Sequence, residues 1–244
     1  MSRRTSKKKT SAISIILLLI AVIGYFFLKP EGAADPAADA PHAVSVSQVP
    51  AYKNTPYAVI NDGQPLFTEK EITDDSYEKY GGLDKLGRCT VTMACIGRDL
   101  MPKEDRGDIS SVKPTGWVQG RYDHVDGGML YNRCPLIGFQ LASENANEQN
   151  LITGTRYMNV EGMLPFENKV ANYVRETGNH VLYRVTPIYE GNNLVASGVQ
   201  MEALSVEDGG SGICFHVYVY NVQPGVVIDY ATGDSWVEEE AAAS

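Results

Sequence analysis

Three alternating segments in the C-terminal half constrain the fold of this chain more than any other feature. Residues 180–222, HVLYRVTPIYEGNNLVASGVQMEALSVEDGGSGICFHVYVYNV, have the pattern of three strands, with turns at Asn192-Asn193 and Gly209-Gly210. Strands joined by such short connections pair in an antiparallel arrangement. The pattern therefore predicts an antiparallel meander.

Further strand signals lie upstream of the meander. Residues 87–97, GRCTVTMACIG, alternate and are bounded by glycines. Residues 115–124 and 129–138 flank the sequence VDGG and are predicted to form a hairpin with an Asp-Gly turn.

One helix is predicted between the two groups of strands. Phe166, Val170 and Val174 recur every four residues, which is typical of an amphipathic helix from about Pro165 to Glu176. Proline is tolerated in a first helical turn, and Gly178 can end the helix. The order of elements predicts an α+β domain with a mainly antiparallel sheet.

The N-terminus predicts a membrane segment. Residues 1–11 form a basic segment, and residues 12–28 are an uncharged apolar run. Seventeen helical residues rise about 26 Å, close to the hydrocarbon thickness of a bilayer. The basic flank should remain in the cytoplasm, which places the rest of the chain outside the membrane.

The competing interpretation of the N-terminus is a cleaved signal peptide, with a small-x-small pattern at Ala38-Asp39-Ala40. We favour an uncleaved single-pass anchor because the apolar run is long and that pattern lies well beyond it. Residues 29–55 are rich in Ala and Pro and predict a flexible linker. Residues 56–233 then form the folded domain, and residues 234–244 form an acidic tail.

The charge of the exported part limits how it can bind nucleic acid. Five of the 21 basic residues lie within the first 28 positions, so the remaining 16 are set against all 30 acidic residues, a net charge of −14. A domain with this negative charge does not bind polyphosphate non-specifically over its whole surface. Any nucleic-acid site must be a local basic cleft or depend on a metal ion.

Four cysteines permit two disulfides in an exported domain: Cys89, Cys95, Cys134 and Cys214. Cys89 and Cys95 lie on one predicted strand, about 20 Å apart, whereas a disulfide needs less than about 7 Å between Cα atoms. These two cannot pair with each other. Pairing with Cys134 or Cys214 and buried free thiols remain equal alternatives.

The stretch NRCPLIGFQL, from residue 132, resembles the Asp-Arg-Gly-His-Leu-Ile-Gly segment of the DNA/RNA non-specific endonucleases. The similarity continues through NANEQNLITGTRYMN, PFENKVANYV and the meander, over most of residues 85–225. It implies a ββα-metal nuclease fold, a single divalent ion, Mg²⁺ or Mn²⁺, and DNA and RNA as substrates.

The resemblance also implies roles for individual residues. Arg133 falls on the motif arginine, which would hold phosphate or transition-state charge, and Asn159 on the asparagine that binds the metal. Asn150 falls on an asparagine that supports the site, and Glu167 on an acidic residue that orients metal-bound water.

Two positions depart from the motif. Asn132 replaces its aspartate, and Pro135 stands where the general-base histidine is expected. Proline has no titratable group and cannot accept a proton from the attacking water. Of the four histidines, His124 should lie about 13 Å from position 135, and none is placed near the metal by sequence.

The sequence therefore predicts a membrane-anchored extracellular, metal-dependent endonuclease whose hydrolysis is crippled by Pro135. The alternative is a catalytically silent scaffold that binds nucleic acid or the cell wall. The oligomeric state is left open.

Overall fold

The computed structural model of the protein describes residues 43–238. The predicted basic segment, membrane segment and first part of the linker lie outside this range, as do residues 239–244. Within residues 43–238, no helix is long and apolar enough to cross a membrane.

The centre of the domain is a six-stranded antiparallel sheet in the order β1-β8-β7-β6-β3-β2. Its strands are β1 (Tyr57–Val59), β2 (Tyr77–Tyr80), β3 (Thr92–Ile96), β6 (Val181–Ile188), β7 (Gly198–Ser205) and β8 (Cys214–Tyr220). Strands β6, β7 and β8 are the predicted meander, which is confirmed with its two turns. The edge strands β1 and β2 are only three and four residues long.

A separate two-stranded ladder carries the motif segment. Strand β4 (Tyr131–Pro135) pairs antiparallel with β5 (Leu151–Thr155). The predicted hairpin over residues 115–138 forms only around its turn, where an isolated bridge joins Arg121 to Met129 and the Leu130 N–H donates to the Gly120 carbonyl at 3.0 Å; residues 115–119 form no strand. The side chain of Gln119 bonds both the N–H and the C=O of Tyr131, at 2.8 and 2.7 Å, and so takes the place of a partner strand.

Two helices follow the strands of this ladder. Helix α1 (Phe139–Ala142) is a single turn after β4. Helix α2 (Leu164–Thr177) confirms the amphipathic prediction, and Gly178 ends it in the left-handed region with φ 78°. A π-helical turn (Met158–Met163) leads directly into α2, so helical geometry does extend back to Asn159.

Strand alternation gives the large sheet two different faces. One face packs on α2, where Phe166, Val170 and Val174 meet residues such as Tyr183 and Met201. The other face carries a buried ion pair in which Arg184 Nε donates to Glu202 at 2.7 Å. The chain from residue 43 to β2 covers this second face, and the Leu66 N–H donates to Glu202 at 2.8 Å.

The folded domain extends beyond both of the boundaries predicted from the sequence. The part of the predicted linker within the described range packs on the sheet, since the Val44 N–H donates to Gln200 and the Tyr220 hydroxyl to the Pro50 carbonyl. The predicted acidic tail begins with strand β10 (Ser235–Val237), which pairs with β9 (Val226–Ile228). Local composition missed both because the contacts are distant in sequence.

All four cysteines are free thiols; Cys89, Cys95 and Cys134 are buried and Cys214 is exposed. Cys89 and Cys95 do not pair, as the strand geometry required. Of the two alternatives that the sequence left open, the structure has the free thiols.

Candidate functional site

A cleft of about 390 Å³ lies beside strand β4. Three arginines, Arg106, Arg133 and Arg156, line it, and none of its lining residues is acidic. The cleft is therefore a local concentration of positive charge on a strongly acidic body. Arg156 also pairs with the exposed Asp126 at 2.7 Å, which orients its guanidinium.

Strand β4 supplies the wall of this cleft. Asn132, Arg133 and Pro135 all line it, together with Asn159 from the start of the π-helical turn. Cys134, between Arg133 and Pro135, is fully buried in the core and does not line the cleft. The fold thus brings four of the positions singled out in the sequence to one cavity.

Some of the hydrogen-bond donors of Arg133 hold a neighbouring loop in place. Its Nε donates to the Val112 carbonyl, and one terminal nitrogen donates to the Ser110 carbonyl at 2.8 Å. Its guanidinium also stacks on Trp117, 4.5 Å from the ring centroid. A guanidinium has five N–H donors, so some remain for a ligand, but these contacts fix its orientation.

The side chain of Asn159 meets a thiol. Cys134 Sγ lies 3.1 Å from Asn159 Oδ1 and donates a hydrogen bond to it. Burial raises the pKa of the Cys134 thiol, and the charge of Glu167 raises it further, so the thiol remains a donor. Within residues 43–238, no group of three or more His, Cys, Asp or Glu side chains is arranged to hold a metal ion.

Cys134 is the site residue that sequence reasoning missed. It occupies the position of the glycine in the Asp-Arg-Gly-His motif, so the chain departs from that motif at three positions and not two. The signal was present in the four letters NRCP. Its importance depends on contact with Asn159, 25 residues away, which the sequence does not reveal.

Asn150 holds the backbone of the chain just after β4. Its side chain is fully buried, accepts from the Ile137 N–H at 2.9 Å and donates to the Ile137 carbonyl at 3.0 Å. It therefore acts like a short piece of partner strand. Asn150 does not line the cleft.

Glu167, in the first turn of α2, does not line the cleft either. Burial raises its pKa to about 7, although a hydrogen bond from Gln140 and the charge of Arg106 oppose the shift. A Cβ at Gly138 would lie only 2.6 Å from the carboxylate, so a larger residue there would have to displace the end of the Glu167 side chain.

None of the histidines within the described range lines the cleft. His124 packs against Tyr122, and His180 pairs with Glu207 at 2.7 Å. His216 is buried beside Glu202, and His42 lies outside the described residues. Pro135 has no titratable group, and no other residue in the wall of the cleft supplies an imidazole.

The antiparallel sheet, the β4–β5 ladder and the helix beside the cleft define an α+β nuclease-like domain. The sequence model of the DNA/RNA non-specific endonuclease family matches residues 68–207, and the chain belongs to this family. The resemblance seen in the motif segment is thereby confirmed.

Solved structures agree with the assignment. The chain is similar to NucA from Streptococcus agalactiae, whose structure holds a magnesium ion, with 27% identity over 80% of this chain and 92% of that one and a TM-score of 0.69. It is also similar to the Sda1 nuclease with a bound zinc ion, with 25% identity over 75% of this chain and 97% of that one and a TM-score of 0.63.

Proposed function

We propose that this chain binds the phosphodiester backbone of DNA and RNA in the arginine-lined cleft and hydrolyses it very slowly. The observation that carries the proposal is the grouping of Arg106, Arg133 and Arg156 without an acidic residue in the cleft wall. Guanidinium groups recognise phosphate through paired hydrogen bonds and charge. Contacts to phosphate carry no sequence information, as a non-specific ligand requires.

Slow hydrolysis follows from Pro135. A general base contributes typically about 10²–10⁴-fold to such a reaction, and proline cannot accept the proton of the attacking water. Glu167, whose pKa of about 7 would suit a base, is not in the cleft wall. Arg133 and Arg156 would still position the phosphate and stabilise its charge.

The divalent ion expected from the resemblance, Mg²⁺ or Mn²⁺, fits these residues poorly. Such hard cations take oxygen ligands. Asn159 is the expected ligand, and its Oδ1 already accepts a hydrogen bond from Cys134 at 3.1 Å. No step of the proposed function is therefore routed through a metal.

We also propose that the domain lies outside the cytoplasmic membrane, held there by residues 12–28. This proposal is supported by the uncharged run and its basic flank. The part of the predicted linker from Val44 to Pro50 bonds to the sheet, which shortens the free tether available in this arrangement.

Fluorescence anisotropy with labelled single-stranded DNA and RNA tests the binding. We expect Arg106→Ala and Arg156→Ala each to weaken binding to both nucleic acids and to reduce the slope of log affinity against log salt by about one. Arg175→Ala is the matched control, because Arg175 is exposed on α2 and absent from the cleft. An equal loss of nucleic-acid affinity in all three variants would show that the cleft is not the binding site.

The same experiment tests the alternative function. The net charge of −14 outside the first 28 residues favours a scaffold that does not bind nucleic acid. Absence of binding to DNA and RNA at low salt, with the domain folded, would favour the scaffold over the backbone-binding proposal.

A further inference from the structure

The Cys134 side chain projects from strand β4 and packs between strand β5 and the π-helical turn. Its sulfur is 3.1 Å from Asn159 Oδ1 and 3.4 Å from Met163 Sδ, and its residue is fully buried. A Cβ placed at Gly154 would lie 2.6 Å from Cys134 Cβ. Because Gly154 has no side chain, strand β5 lies directly against the cysteine.

The hydrogen bond from Cys134 determines the direction in which the Asn159 carboxamide oxygen points. Cys134 is directed into the core, whereas Asn159 borders the cleft. An S–H group that points at a carboxamide oxygen occupies one of its two lone pairs and directs the oxygen toward the buried thiol. A hard divalent ion in the cleft would therefore compete with this hydrogen bond for the orientation of the oxygen.

We propose that Cys134 closes the metal position of this fold by holding the Asn159 carboxamide oxygen. A glycine at position 134, as in the family motif, would leave that oxygen without this donor. The chain then carries two independent lesions, a missing base at Pro135 and a masked ligand at Asn159. The inference rests on the family assignment within the proposed function, but not on nucleic-acid binding.

Manganese is a direct probe of this position. Purified full chain in detergent is titrated with Mn²⁺ and followed by electron paramagnetic resonance, with no nucleic acid present. We expect the native chain to bind Mn²⁺ weakly and Cys134→Ala to bind it roughly tenfold more tightly, since one hydrogen bond is removed from the oxygen. Asn159→Ala in the Cys134→Ala background should abolish the gain.

Cys95→Ala is the matched control. Cys95 is also a buried thiol that donates to an oxygen, the Thr73 carbonyl at 3.1 Å, but it lies in strand β3 away from the cleft. Its replacement should leave Mn²⁺ affinity unchanged. Cys134→Gly is the second variant, and circular dichroism of each protein verifies that it is folded.

Three outcomes would overturn the proposal. One is equal Mn²⁺ affinity in the native chain and in folded Cys134→Ala and Cys134→Gly. Another is Mn²⁺ binding by the native chain that is already tight and is lost in Asn159→Ala. The third is Zn²⁺ binding that requires Cys134, because the thiol would then be a ligand.

Nucleic-acid binding is measured in parallel by anisotropy without metal. If the native chain does not bind nucleic acid, the proposed function is refuted, but the conclusion from manganese binding is unaffected. A null manganese result with intact nucleic-acid binding would refute only the masking by Cys134.

Discussion

Pro135 lies opposite Leu151 in the β4–β5 ladder, at a residue pair that exchanges no backbone hydrogen bonds. The neighbouring Leu136 N–H donates to the Asn150 carbonyl at 2.8 Å, and bonded and non-bonded pairs alternate along an antiparallel ladder. The N–H that proline lacks would therefore point away from β5. Proline costs this strand no ladder bond, so histidine can replace it without disturbing the pairing.

Restoring catalysis should require two substitutions. Pro135→His alone returns the base but leaves Asn159 bonded to Cys134. In the Cys134→Ala background, Pro135→His should raise plasmid cleavage with Mg²⁺ or Mn²⁺ by about 10²–10⁴-fold. The rate should rise with pH and level off above roughly 6.5, where the imidazole becomes neutral.

Comparison of the native chain, both single variants and the double variant gives the coupling between the two sites. A full gain from Pro135→His alone would show that position 134 is irrelevant to activity. Rapid cleavage by the native chain would contradict the placement of position 135 as the missing base.

Glu167 should make the stability of the domain depend on pH. Its pKa is raised by burial from 4.5 to about 7, so between these values the folded state binds a proton that the unfolded state has lost. Its contribution to stability therefore falls as pH rises from 4.5 through 7. The full shift is worth on the order of 3 kcal/mol.

Urea unfolding of Glu167→Gln measures this effect. Relative to the native chain, the variant should gain stability between pH 5 and pH 8, because glutamine does not titrate. Glu176→Gln, on the exposed end of the same helix, is the control and should track the native chain. A difference between Glu167→Gln and native that is constant across this range would contradict the burial argument.

Asn221 should be essential for attaching the site ladder to the large sheet. Its amide donates to the Thr153 and Ala196 carbonyls at 3.0 and 2.9 Å, and its oxygen accepts from the Thr155 N–H at 2.9 Å. Asn221→Ala should lower the free energy of unfolding by roughly 2–4 kcal/mol, because buried backbone groups lose their partners. Asn192→Ala, at an exposed turn, should change it little in the same denaturation experiment.

The membrane segment can be tested on intact cells. If residues 12–28 anchor an external domain, added protease should remove the domain without lysis. Digestion only after lysis would contradict the proposed orientation. A mature N-terminus just after Ala40 would support the signal-peptide alternative.

Local signals explain what the sequence predicted well. Helix α2 follows from the spacing of Phe166, Val170 and Val174 and from Gly178, all within a few turns of one another. The meander likewise joins strands that are adjacent in the chain. In both cases the contacts that stabilise an element come from residues near it in sequence.

Distant contacts explain what was missed. Strand β5 is buried at all five positions, so it shows none of the alternation that marks a half-buried strand, and the sequence pattern predicted no strand there. The pairing of β4 was assigned to the wrong neighbour because Gln119 acts through its side chain. The hydrogen bond from Cys134 to Asn159 likewise depends on the tertiary fold.

The covering of the sheet by the N-terminal segment also has a mechanical consequence. Tension applied at Ala43 meets the rest of the domain first where Val44 bonds Gln200 of β7 and where Pro50 bonds Tyr220 of β8. These are interior strands of the six-stranded sheet, with partners on both sides. The cleft is built on a different ladder, so a pull through the N-terminus loads the interior of the large sheet before it reaches the arginines.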